Sequence, residues 1–270
     1  MQKNGRKLRL ISLRLNFHRD TLLSMKTLLI ALALSSQCFA ATNLLLVGGG
    51  ARPKEAMSKF AELAGQKKSS ILVIPWASAS IEGAENIKSE LSSYEFGKIE
   101  VASDSPDTLR KQIAEASGIF FTGGNQNNLM KRINDLNLKS TFKKMFESGV
   151  VFGGTSAGTA IMSNPMLNGE GDLGKIDGSQ IGLAEGLGLL PESVIVDQHF
   201  IIRSRFNRLA GVILNQKSVT GLGVDEGTAL LVSDNVGTVV GPSQVLVFKK
   251  TDANTLEITI LSPHQKINLL

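Results

Sequence analysis

A serine hydroxyl is nucleophilic at neutral pH only when a base takes its proton, so chemistry is sought first in strained serine turns and in histidines. Gly154-Thr155-Ser156-Ala157-Gly158 has the spacing G-x-S-x-G. The apolar run Val150-Val151-Phe152 precedes it and Thr159-Ala160-Ile161-Met162 follows, which predicts a strand, a sharp turn and a helix. Such a turn holds a serine hydroxyl up at the sheet edge, and its neighbours must be small because bulky side chains would clash. The backbone N–H of Ala157 would then face a developing oxyanion.

Two histidines follow the leader, His199 and His264. His264 stands next to Pro263 in a tail after the last predicted strand, whereas His199 follows the apolar run Val194-Ile195-Val196. Asp197, Gln198, Arg203, Arg205 and Arg208 make an unusual polar concentration around it. Arginines at this spacing form a solvated helix face by default, but they can also gather guanidinium forks around an acidic ligand. A third group should orient the imidazole. Glu226, with Asp225 beside it, follows another apolar run, and Glu170 and Asp172 are rivals that spacing alone does not separate.

Phe120-Phe121-Thr122-Gly123-Gly124-Asn125-Gln126 is a second strand followed by a glycine turn. Gly124 is a candidate second oxyanion donor and Gln126 a candidate substrate contact; the plainer reading is a strand–helix turn with Asn as a cap. Val47-Gly48-Gly49-Gly50 lacks the G-x-G-x-x-G spacing, and no strand-end acid stands roughly 20 residues on, so a nucleotide cofactor is not expected. Metal-ligand spacing is absent as well, and no cofactor of any kind is expected.

The elements that must carry these residues alternate. Strands are expected at Asn43–Val47, Ser70–Pro75, Lys98–Ala102, Gly118–Thr122 and Val150–Gly153, with helical patterns over 53–64, 81–91, 108–116 and 127–148 between them. This implies an α/β fold with a mainly parallel sheet flanked by helices, in which ligands sit at the carboxyl ends of the strands. The last third has short strands at 194–196, 219–224, 229–232, 238–240, 244–248 and 256–261, read as antiparallel strands added to that sheet and not as a second domain.

The formal charge of +5 belongs to the N-terminus. Residues 1–40 hold seven basic residues and one acid; taken from totals of 29 and 24, they leave 22 and 23 in 41–270. Nucleic-acid binding therefore has no support. Met25, Lys26, the apolar run 27–34 and Cys38-Phe39-Ala40 read as a cleaved signal peptide over 25–40, with 1–24 as an upstream extension. The run is far short of the ~18 residues of a spanning helix. The expectation is an exported single domain over 41–270, periplasmic or extracellular, off the membrane once the signal is cleaved and compatible with a homodimer. The sole cysteine, Cys38, lies in the leader, which removes thiol chemistry from the mature chain.

Taken together, Gly123-Gly124-Asn125-Gln126, Gly154-Thr155-Ser156-Ala157-Gly158, Asp197-Gln198-His199-Phe200 with its three arginines, and Val224-Asp225-Glu226-Gly227-Thr228-Ala229 resemble the peptidase family that contains cyanophycinase and peptidase E. The Asp-Gln-His-Phe segment is closer to the cyanophycinase branch. The resemblance implies a class I glutamine-amidotransferase-like sheet, Ser156 and His199 as nucleophile and base, and Glu226 as the acid, with Glu170 or Asp172 as alternatives. It also implies that Gln126, Asp197, Gln198, Arg203, Arg205 and Arg208 line a substrate cleft. The implied partner is a peptide rich in aspartate and arginine, since cyanophycinase releases β-Asp-Arg dipeptides; the implied alternative is an aspartyl dipeptidase of the peptidase E type. A non-catalytic binder on the same scaffold is the remaining class.

Overall fold

A computed structural model of the chain describes residues 40–94, 96–171, 174–216 and 219–270. The leader through residue 39 and the candidate acid Asp172 lie outside the described residues.

Asn43–Val47 is buried along its whole length and forms strand β1, as a continuous apolar run must when both faces of its sheet are covered. Helix α1 (Lys54–Ala64) follows, then β2 (Ser70–Ile74), α2 (Glu82–Leu91), β3 (Lys98–Val101), α3 (Pro106–Glu115) and β4 (Gly118–Phe121). The amphipathic stretch after β4 divides into α4 (Gln126–Asp135) and α5 (Lys139–Glu147). Asn125 caps α4, its side chain accepting from the N–H groups of Asn127 and Asn128, so the capping role of that turn is real. Strand β5 (Val151–Thr155) runs into the single helical turn α6 (Ala157–Ala160), and a two-residue pair, β6 (Met166–Leu167) with β7 (Leu183–Ala184), lies beyond it.

The last third consists of β8 (Val194–Gln198), helix α7 (Phe206–Asn215), β9 (Thr220–Val224), β10 (Ala229–Ser233), β11 (Val236–Val240), β12 (Val245–Asp252), β13 (Thr255–Leu261) and β14 (Lys266–Asn268). Among the described residues the main sheet runs β14-β11-β10-β1-β5-β4-β2-β3. Its half from β1 to β3 is parallel, and β10, β11 and β14 add antiparallel strands on the other side of β1.

Not all the late strands extend that sheet. β13-β12-β9-β8 form a sheet of their own, in which β8 and β9 are parallel and the other pairs antiparallel. A separate apolar cluster explains the division: Ile195, Phe200 and Phe248 pack against Leu209, Val212 and Ile213 of α7. The large cluster of Leu44, Leu46, Phe121, Phe152 and their neighbours still reaches Val196, Leu222 and Val247, so the second sheet is welded to the first. No helix among the described residues is long and apolar enough to cross a membrane.

Candidate active site

The turn after β5 is as sharp as its glycines suggest. A Cβ on Gly154 would lie 2.4 Å from the backbone of Gly158, and one on Gly158 would lie 2.3 Å from Phe121 O. Only glycine permits the strand to fold back on its own helix and that helix to press against β4. Ser156, at the apex, has φ 54° and ψ −113°, a conformation that costs a non-glycine residue on the order of 1–3 kcal/mol and persists only when its surroundings enforce it. Two bonds do so. Ser156 N donates to Val47 O at 3.1 Å, and the Thr159 hydroxyl lies 2.6 Å from the same carbonyl and 2.9 Å from Gly154 O.

His199 directly follows β8 with φ 50°, and its N–H donates to Gly48 O at 2.6 Å. Nε2 lies 2.8 Å from Ser156 Oγ. Nδ1 contacts Oε1 of Glu226, which sits in the turn between β9 and β10. A neutral imidazole whose Nδ1–H points at that carboxylate leaves the Nε2 lone pair facing the serine. Burial pushes the His199 pKa below 6.5; the hydrogen bond to Glu226 opposes this, and the positive charge of Arg203 adds to it. The ring is therefore uncharged at neutral pH and able to take a proton.

Of the two candidate acids among the described residues, Glu226 and Glu170, Glu226 is the one whose carboxylate meets the imidazole. Glu170 is exposed and accepts from Asn168 Nδ2 at 3.1 Å, in the segment after α6.

The turn Gly48-Gly49-Gly50, which sequence reasoning weighed only as a nucleotide loop, has a different purpose. A Cβ on Gly49 would lie 2.1 Å from His199 Cε1, and one on Gly50 2.9 Å from Glu226 Oε2. The carbonyls of Val47, Gly48 and Gly49 accept in succession from the N–H groups of Ser156, His199 and Gly227. The end of β1 is thus the jig on which serine, histidine and glutamate are assembled. The signal was a glycine run at a strand end with no nucleotide spacing.

Asp225, beside Glu226 in the sequence, has a separate structural task. Its Oδ1 accepts from the N–H groups of Ile201 and Ile202 at 2.9 and 3.1 Å, and its Oδ2 from the Ser243 hydroxyl at 2.8 Å, which ties down the loop that follows His199.

The polar residues around His199 divide into two sets. Asp197 and Arg208 are 1% and 3% exposed and pair with each other in a fork, with Arg208 Nε 2.7 Å from Asp197 Oδ2. Arg205 Nη1 donates to both Gln198 O and Gln198 Oε1 at 2.7 Å, and lies 3.7 Å from Asp197 Oδ1. Burial, with the nearby Arg208 charge, brings the Arg205 pKa down to about 10 against the pull of Asp197. Gln126 is buried as well and donates to Leu167 O at 3.0 Å. Asp197, Gln198, Arg208 and Gln126 are thus engaged inside the protein, whereas the Arg203 side chain is 52% exposed, with Nε 3.5 Å from Glu226 Oε1.

A cleft of about 400 Å³ opens over the serine, lined by Gly123, Ser156, His199, Arg203, Arg52 and Asn86 among others. Of the paired glycines, Gly123 borders the serine: its Cβ position is 3.8 Å from Ser156 Oγ. Gly124, at φ 139°, is pressed against Ala77 O. No group of three or more metal-ligating side chains occurs among the described residues.

A parallel α/β sheet that raises a serine on a strand-to-helix turn, against a histidine backed by a carboxylate, has the architecture of a serine hydrolase. More specifically, the chain belongs to peptidase family S51, whose profile matches residues 44–240, and is a serine-type peptidase of the cyanophycinase-like kind. It is 32% identical over 226 residues to a cyanophycinase of Trichormus variabilis, covering 79% of this chain and 76% of that one. A cyanophycinase of Geminocystis herdmanii is 31% identical over 218 residues, 76% of this chain and 80% of its own. A crystal structure of a peptidase from an acI-B1 actinobacterium superposes with a TM-score of 0.64 at 22% identity, over 85% of this chain and 97% of that one. A putative peptidase E protein from Listeria monocytogenes gives 0.55 at 17% identity, over 76% and 100%. These two likenesses speak to the fold.

Proposed function

We propose that this protein is an exported peptidase that hydrolyses aspartyl-linked, cyanophycin-like peptides, with Ser156 as nucleophile, His199 as its base and Glu226 as the acid that orients the imidazole. The observation that carries this reading is the chain Ser156–His199–Glu226, with 2.8 Å between Oγ and Nε2. In the first half-reaction Oγ adds to the scissile carbonyl while its proton passes to Nε2. The oxyanion would be met by the Ala157 N–H and by the Gly123-Gly124 turn. Collapse of this intermediate breaks the C–N bond, and His199 returns the proton to the leaving amine. Water then repeats the addition at the acyl-serine, with His199 again as base, and releases the acid and the free serine.

The substrate class is supported by the relatives named as cyanophycinases and by the guanidinium groups that flank the cleft. Export rests on the sequence of residues 25–40 alone.

The test is incubation of the purified protein with cyanophycin beside a Ser156→Ala control, with products read by mass spectrometry. Release of β-Asp-Arg by the wild type only is the expected result. Cleavage of Asp-X dipeptides with the polymer untouched would move the assignment to a peptidase E type dipeptidase. Silence on both, with Ser156 unreactive toward a fluorophosphonate, would leave a binding protein.

A further inference from the structure

Among the described residues, the side chains lining the cleft carry two guanidinium groups, Arg52 and Arg203, and no carboxylate. Arg203 is half-exposed and its charge is shared with Glu226. Arg52 is placed differently. It leaves the same glycine turn that cradles His199, and its side chain is only 19% exposed. Nε and Nη2 both approach a single oxygen of Glu90, on helix α2, which contributes Gly83, Asn86 and Ile87 to the lining of the cleft. A guanidinium used along its Nε–Nη2 side still presents the Nη1 end as a donor fork for a second oxyanion.

A cation held by a carboxylate behind it, at the rim of a nucleophile's cleft with no acid among the described lining residues, is arranged for an anionic ligand. We propose that Arg52 is a specificity-determining residue: it binds a substrate carboxylate next to the scissile bond, and Glu90 is its positioning residue. This rests on Ser156 marking the point of cleavage. It adds the side of the cleft on which the substrate's negative charge lies. A tie that only fastened the turn to α2 would affect stability and leave charge preference untouched.

The test measures binding, so it does not depend on turnover. A short β-aspartyl-linked peptide with free carboxylates and its carboxamide counterpart are titrated by calorimetry into the Ser156→Ala protein, alone and with Arg52→Gln, Arg52→Lys or Glu90→Gln. The acidic peptide should bind about 10- to 100-fold more tightly than the amide, and Arg52→Gln should erase most of that ratio while amide affinity stays within about threefold. Arg52→Lys should restore the ratio in part, and Glu90→Gln should reduce it. An unchanged ratio in Arg52→Gln, or no binding of either peptide, overturns the assignment. Fluorophosphonate labelling of the chain with Ser156 intact reports separately on the nucleophile. An Arg52→Gln protein that labels at the wild-type rate yet has lost charge preference supports a specificity role, and slowed labelling in that variant overturns it in favour of a structural one.

Discussion

Alanine in place of Gly49 should silence the enzyme without unfolding it. The added Cβ would stand 2.1 Å from His199 Cε1, 2.4 Å from Nε2 and 2.6 Å from Nδ1. Ordinary contact begins near 3.4 Å, so the ring or the turn must retreat by about 1.3 Å. Retreat of the ring stretches the 2.8 Å bond to Ser156 beyond 3.5 Å, where proton transfer from the hydroxyl is no longer assisted. A displacement of about 1 Å at reacting groups costs roughly 100-fold, and complete loss of the base costs more, so kcat should fall by about 10²- to 10⁴-fold. The φ of +116° at this position adds on the order of 1–3 kcal/mol of backbone strain, less than the roughly 5–15 kcal/mol that holds a domain folded. The assay is steady-state hydrolysis with KM and kcat resolved, alongside a thermal melt and the rate of fluorophosphonate labelling. A Gly49→Ala protein retaining more than a tenth of wild-type kcat would show that the turn does not fix the imidazole. A collapse of the melt matching the loss of activity would show that the turn matters to folding instead.

Because burial and the Arg203 charge hold the His199 pKa below 6.5, the base is uncharged at pH 6.5 and above and gains its proton only at lower pH, so the acid limb of kcat/KM should fall under pH 6.5. Arg203→Gln removes a charge that lowers this pKa, so the limb should move to higher pH; a limb that stays put or moves down contradicts the coupling. Glu226→Gln removes the group that raises it, so the limb should move further down while kcat drops by about 10²- to 10⁴-fold, measured on the same pH series. Asp197→Ala strands the Arg208 guanidinium at 3% exposure, and denaturant unfolding should show a loss of about 3–5 kcal/mol. A loss under about 1 kcal/mol would mean that water or Gln198 replaces the carboxylate.

The alternation of apolar runs with amphipathic stretches made the parallel half of the sheet legible nearly residue by residue, because strands covered on both faces leave little ambiguity. The elbow was legible for the same kind of reason: glycine on both sides of a serine, at the end of an apolar run, has few other uses. The second sheet was not, since strands of the same composition pair according to which cluster, that of Phe152 or that of Phe200, receives their side chains. Neither was the destination of the arginines. Arg208 lies within the helix Phe206–Asn215 and points inward to Asp197, whereas Arg203 and Arg205 precede that helix. Spacing of two and three residues does not reveal where a helix begins, nor that Arg205 and Arg208 turn inward to Gln198 and Asp197 while Arg203 stays half-exposed. Glu226 could not be separated from Glu170 by sequence, because the contact with His199 depends on β9 lying beside β8.

The jig at the end of β1 also sets a schedule. The strand that receives Ser156, His199 and Gly227 is made near the start of the chain, and the groups that dock on it come more than 100, 150 and 175 residues later. Loop closure over such spans is slow and must await synthesis of the last partner. A nascent chain shorter than about 230 residues therefore has no assembled catalytic centre, whatever local structure it has formed. On the proposed mechanism, activity appears only when the first described strand and the distant glutamate are joined, so completion of the fold would itself be the step that arms the peptidase.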